Sequence, residues 1–500
     1  MEKSFTQLLT SNNPADEHQI PDIRAAILDA QRQLFSLDQR LAELELIDNV
    51  VDADGWDTAT VLQIRDEELA RVLRLQSVLS PFRRLPPEIL AVIFSFALPG
   101  EKGVPMDANS PFWRFSQVCR VWRNVVCEGM QQIWSSIEID CMKVERTNLT
   151  STLLELALQR SGTRSLSIRF CFSARNRMDV LSQKEEKCWN LLTNESFRWK
   201  ELELNHIPIV VLGSLSAAVK SRMPLLRRLV IENVPMSHTL DTPSTAEAFE
   251  IAPQLEHFTL SGYFRPSRFQ LPWSQLTSYS GSFRDIRDFL IVLACANNLV
   301  TCDVFLRNYN AGFIVDHPNI RTLRMRGAME GLSRLRLPFL QTLLLDELII
   351  QDLSIISAFL RRTPSVSSLE VHIPHEIRGG DLMGVLMDFL SACRLISSLA
   401  LMGEVDVMSV CSLLNVSEAR LLIPRLRDLS LSIWSTTNEE LLESLGAMIE
   451  SRCHRAGWGE DVVCVPLASL TLQGLRVPDV MLQRLKPLEE VLGLKVTVKA

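Results

Sequence analysis

Pro338-Phe339-Leu340-Gln341-Thr342-Leu343-Leu344-Leu345-Asp346 states the pattern that organises most of this chain. Its skeleton is apolar-x-x-apolar-x-apolar. The skeleton returns at Trp134-x-x-Ile137-x-Ile139, Trp199-x-x-Leu202-x-Leu204, Leu226-x-x-Leu229-x-Ile231 and Leu255-x-x-Phe258-x-Leu260. Further copies are Ile320-x-x-Leu323-x-Met325, Val366-x-x-Leu369-x-Val371, Ile396-x-x-Leu399-x-Leu401, Leu426-x-x-Leu429-x-Leu431 and Leu467-x-x-Leu470-x-Leu472. Weaker ones begin at Thr163, Leu276 and Leu299. Most neighbouring copies start about 20 to 30 residues apart, the spacing of a stacked repeat. Proline stands two positions ahead of the first apolar residue at Pro224, Pro253, Pro318, Pro338, Pro364 and Pro424. There it ends a preceding helix and opens a strand without removing an interior ladder bond. Helical patterns fill several intervals: Thr152 to Arg160, Asp285 to Ala296, Leu353 to Arg361, Asp381 to Cys393 and Asn438 to Ser451. Strand, helix, strand at this period predicts an α/β fold, a parallel sheet inside a curved solenoid with helices outside.

Alternation along each strand assigns the faces. The recurring leucines point to the core, and the intervening positions face the concave side. The first such column reads Glu201, Arg228, His257, Ser278, Thr301, Thr322, Thr342, Ser368, Ser398, Asp428, Ser469. A row of Ser and Thr has two readings, a recognition surface or ordinary strand propensity with polar solvation. The charged members Arg228, Glu232, Arg324, Arg326, Asp346 and Glu370, with Phe305 beside them, are the candidate target-binding residues. Their mixed signs suit a polypeptide better than a phosphate backbone. The rival site is the loop around Gly457-Trp458-Gly459, in a polar insertion starting at Cys453.

Ahead of the repeats the periodicity changes. Ile23, Ile27, Ala30, Leu34, Leu37, Leu41 and Leu44 are spaced 4-3-4-3-4-3, a heptad seam. Val51 to Asp57 breaks it, and a second helix follows with Leu62, Leu69, Val72 and Leu79 on one side. An intramolecular antiparallel hairpin, a homodimeric coiled coil and a single exposed helix all fit. Residues 1–19 are polar and expected to be disordered.

Between these regions lies Leu85-Pro86-Pro87-Glu88-Ile89-Leu90, with Ile93-Phe94 after it and Val118-Cys119-Arg120-Val121-Trp122-Arg123-Asn124-Val125 about thirty residues on. Pro86 and Pro87 suit a first helical turn, where a missing N–H costs nothing. Glu88 sits near the positive end of that helix. Ile89, Ile93 and Phe96 recur at helical spacing, as do Val118, Val121, Trp122 and Val125.

This pair of motifs resembles the F-box, the helical module that docks a substrate receptor onto the Skp-type adaptor of a cullin-based ubiquitin ligase. The resemblance implies that Leu85, Pro86, Glu88, Ile89, Leu90, Ile93, Val118, Cys119 and Trp122 carry adaptor binding. A polar stretch from Pro99-Gly100 to Ser110-Pro111 is longer than the family usually carries. A helical preface of this kind is common in the F-box proteins greatly expanded in mushroom-forming fungi. The downstream units resemble the irregular leucine-rich repeats of many F-box proteins, although the asparagine expected three residues past the last leucine is absent at Val234, Tyr263, Ala328 and Leu348. The implied organisation is a tail over 1–19, a hairpin or coiled coil over 20–79, an F-box over 80–130 and a solenoid over 131–500. The implied function is substrate receptor of a Skp–cullin–F-box ligase, with a scaffold acting outside any ligase as the alternative.

A formal net charge of −7 and a pI near 5.8 argue against a general nucleic-acid binder. The eleven cysteines contain no Cys-x-x-Cys pair, and Met1-Glu2-Lys3-Ser4-Phe5 lacks the apolar core of a signal peptide. No apolar run approaches a membrane span. The expectation is a soluble chain of the cytoplasm or nucleus, with reduced thiols and no membrane partner. The chain holds no Gly-x-Ser-x-Gly elbow, P-loop, Gly-x-Gly-x-x-Gly or His-Glu-x-x-His. His372 and His375 are the closest histidine pair, with only Glu376 at ligand spacing, and Cys453-His454 has no third member. No catalytic residue, metal or cofactor is expected.

Overall fold

The structure is a computed structural model that describes residues 6–11, 13–47, 57–97, 103–141, 149–173, 181–208, 211–212, 215, 218–232, 247–261, 266, 269–309, 312–349, 351–373, 382–403, 406–416, 421–433, 439–453, 464–474 and 493–499. It divides into two compact units. The first is Met1–Glu138 with Thr147–Arg164, the second Ile139–Arg146 with Ser165–Ala500.

In the first unit the heptad seam closes within the chain. Helices α2 (Ile20–Ile47) and α3 (Thr58–Val78) pack antiparallel. Ile23 shares a cluster with Val78, while Leu37 and Leu44 share one with Val61. Arg65 Nε donates to Asp38 Oδ1 at 2.6 Å across the pair. Asp57 caps α3 by accepting from the Thr60 N–H at 2.8 Å. The inward side of α3 matches expectation at Val72 and, in part, at Leu79, and differs at Leu62 and Leu69. Val61, Val72, Leu75 and Val78 are buried, and Leu62 and Leu69 are exposed.

The tail expected to be disordered over 1–19 is corrected over its described residues, 6–11 and 13–19. Helix α1 (Thr6–Thr10) buries Leu8 against Ile23 and Val78. Arg83 Nη1 donates to the carbonyls of Leu8, Ser11 and Asn13 at 2.9, 3.0 and 3.4 Å. One guanidinium thus satisfies carbonyls at a helix C-terminus that would otherwise lack partners. Residues 6–11 and 13–19 and the segment after Ser80 are therefore tied to each other.

The boundary near residue 130 moves as well. The helix Thr150–Arg160, expected among the repeats, belongs to the first unit. The Arg160 guanidinium lies over the rings of Trp134, at 4.5 Å, and Trp113, at 5.4 Å. The long polar stretch after residue 99 is not free where it is described. Val104–Pro105 pairs parallel with Ser136–Asp140, and Pro105 accepts from Trp113 Nε1 at 2.9 Å.

The second unit is α/β, built on a large parallel sheet whose strands run side by side in sequence order from Leu166–Cys171 to Lys495–Lys499. Each repeat motif supplies one strand. Leu202, Leu229, Phe258, Tyr279, Cys302, Leu323, Leu343, Leu369, Leu399, Leu429 and Leu470 stand in one register row, all buried. The polar column named above, Glu201 to Ser469, is the neighbouring row residue for residue. The five expected helices are present as Thr150–Arg160, Ile286–Cys295, Asp352–Arg362, Leu382–Ala392 and Glu439–Cys453. Gln183–Asn194 and Val407–Leu414 also form helices among the described residues, in intervals where sequence periodicity marks none.

Strand ends use left-handed residues where an asparagine ladder is missing. His206, Gly327, Glu347 and Gly403 have φ of 58°, 83°, 61° and 88°, each two positions past the last core residue of its strand. A Cβ on Gly327 or Gly403 would run into the carbonyl oxygen of Leu306 or Ile373, so glycine is required there.

His317, almost wholly buried, has its Nε2 3.0 Å from the Ala296 carbonyl, while its Nδ1 accepts the Asn319 N–H at 3.3 Å. This arrangement holds a neutral ring, and burial lowers its pKa from the model-compound value of 6.5. The unfolded chain therefore binds a proton at lower pH that the folded chain does not. The histidine's contribution is intact above pH 6.5 and is lost as pH falls below that value toward the folded pKa. We expect the urea midpoint to drop between pH 7 and pH 5.5, and His317→Gln to flatten part of that drop; identical profiles would contradict the assignment.

Candidate functional site

The apolar face of the first unit starts with two prolines. Pro86 ends the approach from the short turn Pro81–Arg84, and Pro87 takes the first position of α4 (Pro87–Ala97). The N–H groups of Ile89 and Leu90 both reach the Pro86 carbonyl at 3.1 Å. Leu90 and Phe94, four apart, point inward. Phe94 stacks on Phe115 at 4.8 Å and meets Trp122 edge-on at 4.7 Å. Phe115 belongs to α5 (Pro111–Val118) and Trp122 to α6 (Arg120–Asn124). Between them Cys119 is fully extended, and its Sγ accepts the Trp122 N–H at 3.4 Å. Behind this layer Trp134 packs on Phe112 and Trp113 and donates from Nε1 to the Val126 carbonyl at 2.7 Å.

This core consumes only one side of α4. Ile89, Val92, Ile93 and Phe96 face out on the other, with Phe96 at 85% exposure. Phe82, Val118 and Val121 are exposed as well. Such a concentration of large apolar side chains on a small module marks an interaction surface, since burying each is worth roughly 1.5–3 kcal/mol.

Of the residues singled out from sequence, Pro86, Glu88, Ile89, Ile93 and Val118 are exposed, and Leu85 is partly so. Leu90, at 1% exposure, is a core residue and not part of the face. Cys119 is a helix cap and Trp122 a half-buried packing residue. Phe82, Val92, Phe96 and Val121 are on the face but absent from the sequence-derived set. The helical spacing of Ile89, Val92 and Phe96 was the available signal for two of them.

The polar face of the sheet is laced across its strands. Arg324 Nε donates to Asp346 at 2.8 Å, and Arg326 Nη2 to Asp303 at 3.0 Å. Arg169 pairs with Glu203 at 2.8 Å, and Ser167 donates to Glu201 at 3.1 Å. The Asp346 hydrogen bond holds the Arg324 pKa above its ordinary value. Arg228 stands beside Glu201 and Glu232 beside Asn205, while Glu370 lies between Leu344 and Ala400. Phe305 is half-buried between Ser282 and Arg326. A ligand using Arg324 or Arg326 has to share or displace their carboxylates.

His372 is exposed on the strand Ser368–Ile373, and His375, Glu376, His454 and Trp458 lie outside the described residues. No group of three His, Cys, Asp or Glu suited to a metal occurs among the described residues. Burial pushes the Cys411 thiol up to about 12, and those of Cys141, Cys302 and Cys393 higher still, so these sulfurs stay protonated. Among the described residues no helix is long and apolar enough to cross a membrane. No protein-family model matches the chain, and no curated protein matches it as a relative.

The division of α4 into an inner and an outer side has a direct measurement. Leu90→Ala should lower unfolding stability by about 2–4 kcal/mol, and Ile93→Ala by less than about 1 kcal/mol, in urea titrations of the full chain. Equal losses would mean that Ile93 is packed.

Proposed function

We propose that this chain is a substrate-receptor subunit of a Skp–cullin–F-box type ubiquitin ligase. The observation that carries the reading is the outward apolar row Ile89, Val92, Ile93 and Phe96, joined by Val118 and Val121, on the two segments that resemble the F-box. An adaptor helix would cover this row, with Phe82 and Pro86 at its edge. In the same reading the second unit is a leucine-rich-repeat-like solenoid, and its polar sheet face holds a protein target by exchanging carboxylate partners around Arg324 and Arg326. The chain then works inside the cell, needs no cofactor of its own and performs no bond chemistry. It raises the local concentration of the target's lysines near a charged conjugating enzyme.

Full-length protein expressed with a Skp-type adaptor should retain it through purification. Ile93→Glu with Phe96→Glu should abolish retention at unchanged circular dichroism, because both side chains already face solvent. A wild-type chain that fails to retain adaptor would sink the proposal, and adaptor without cullin in the same pull-down would favour a scaffold outside the ligase. Arg324→Glu with Arg326→Glu should weaken target capture at least tenfold and leave adaptor retention intact; a silent pair would move the target site off the sheet.

A further inference from the structure

The α2–α3 hairpin keeps a second apolar row that its own seam does not use. Leu28 and Phe35 each follow a seam residue of α2, Ile27 and Leu34. Leu62 and Leu73 each follow a buried residue of α3, Val61 and Val72, and Leu69 lies in the same row a heptad beyond Leu62. One step along a helix turns the side chain by about 100° in a fixed sense about the helix's own axis. Because the two helices are antiparallel, that turn carries both rows to the same side of the hairpin. Phe35 is 65% exposed, Leu73 58% and Leu28 56%.

The rows line up in layers. Asp38 meets Arg65 and Ile23 meets Val78, which sets the register of the two helices. In that register Leu28 lies level with Leu73, Phe35 with Leu69, and the exposed Ala42 with Leu62. Along α2 the layers recur every seven residues, about 10 Å, while along α3 Leu62 and Leu69 are seven residues apart and Leu69 and Leu73 four, so the facing side chains are level to within about one helical turn. This is the arrangement of one half of a four-helix bundle, in which each layer is completed by the same residues from a second hairpin.

We propose that this face binds a second copy of the chain, α2 of one copy lying on α3 of the other about a two-fold axis parallel to the helices. Each layer then closes as two identical pairs: Leu28 with Leu73, Phe35 with Leu69, Ala42 with Leu62. Charge selects this orientation. The exposed Arg32 beside the row of one copy comes within reach of Asp66 on the other, whose side chain is 74% exposed, and Gln39 comes level with Gln63. A two-fold axis across the helices would instead set Asp66 against its own copy. At roughly 100 Å² for each of five side chains, the contact buries about 1,000 Å² over both copies, the lower bound of a specific interface. Flanking polar residues extend it.

Light scattering coupled to size exclusion on the full chain tests this without any adaptor or target. The wild type at about 10 μM should run at twice the 56.6 kDa of one chain. Phe35→Glu with Leu69→Glu should give one chain at unchanged circular dichroism. Arg32→Asp should weaken association at least tenfold, and adding Asp66→Arg should restore it. A wild type of one-chain mass at that concentration overturns the proposal. So does a dimer that survives the Phe35 and Leu69 changes, and failure of the charge swap to restore association overturns the orientation.

Discussion

One backbone carbonyl at the start of each strand sets the register of the whole sheet. Arg227 O accepts both the Glu256 and His257 N–H groups, at 3.0 and 2.9 Å. Thr277 O does the same for Val300 and Thr301, Arg321 O for Gln341 and Thr342, Ser367 O for Ser397 and Ser398, and Arg427 O for Ala468 and Ser469. Side chains alternate with a period of two, so a slip of one residue would turn every leucine outward. The shared carbonyl makes such a slip cost two hydrogen bonds per strand, besides exposing the core row. With the register fixed, the polar row is fixed too, and so are the ion pairs Arg324–Asp346 and Arg326–Asp303 that give this face its character.

The same constraint explains what could be read in advance. A row of leucines with a proline at a constant offset reports strand position directly, which is why the polar column from Glu201 to Ser469 was legible residue by residue. The helices Gln183–Asn194 and Val407–Leu414 were not. The first is polar at its start, where Glu185 closes a capping box with Ser182, and the second is too short to show a period. Contacts between distant segments left no local trace. Arg83 reaching Leu8 and Arg160 lying over Trp134 are examples, and the second goes with the helix Thr150–Arg160 belonging to the first unit. Cross-strand pairing was also invisible, because each partner alone is simply a charged residue on a strand.

In the helical module the limiting fact is size. Helix α4 is eleven residues long, and one side of it is filled by Leu90 and Phe94 against Phe115 and Trp122. The sequence identified the helix and its apolar richness. It does not say which residues the aromatic layer takes, so the F-box resemblance alone groups Leu90 with Ile89 and Ile93. The division follows only once Trp122 and Phe115 are placed. What remains outside is an apolar face on α4, while on the polar sheet face Arg169, Arg324 and Arg326 are each paired with a carboxylate. In the proposed reading the apolar face would take the adaptor and the polar sheet face the target.

That assignment is tested most directly by hydrogen–deuterium exchange of the full chain with and without a purified Skp-type adaptor. Adaptor should slow exchange in peptides spanning Phe82 to Phe96 and Val118 to Val121, and leave the sheet strands unchanged. Protection that falls on the sheet, or none at saturating adaptor, would contradict the account.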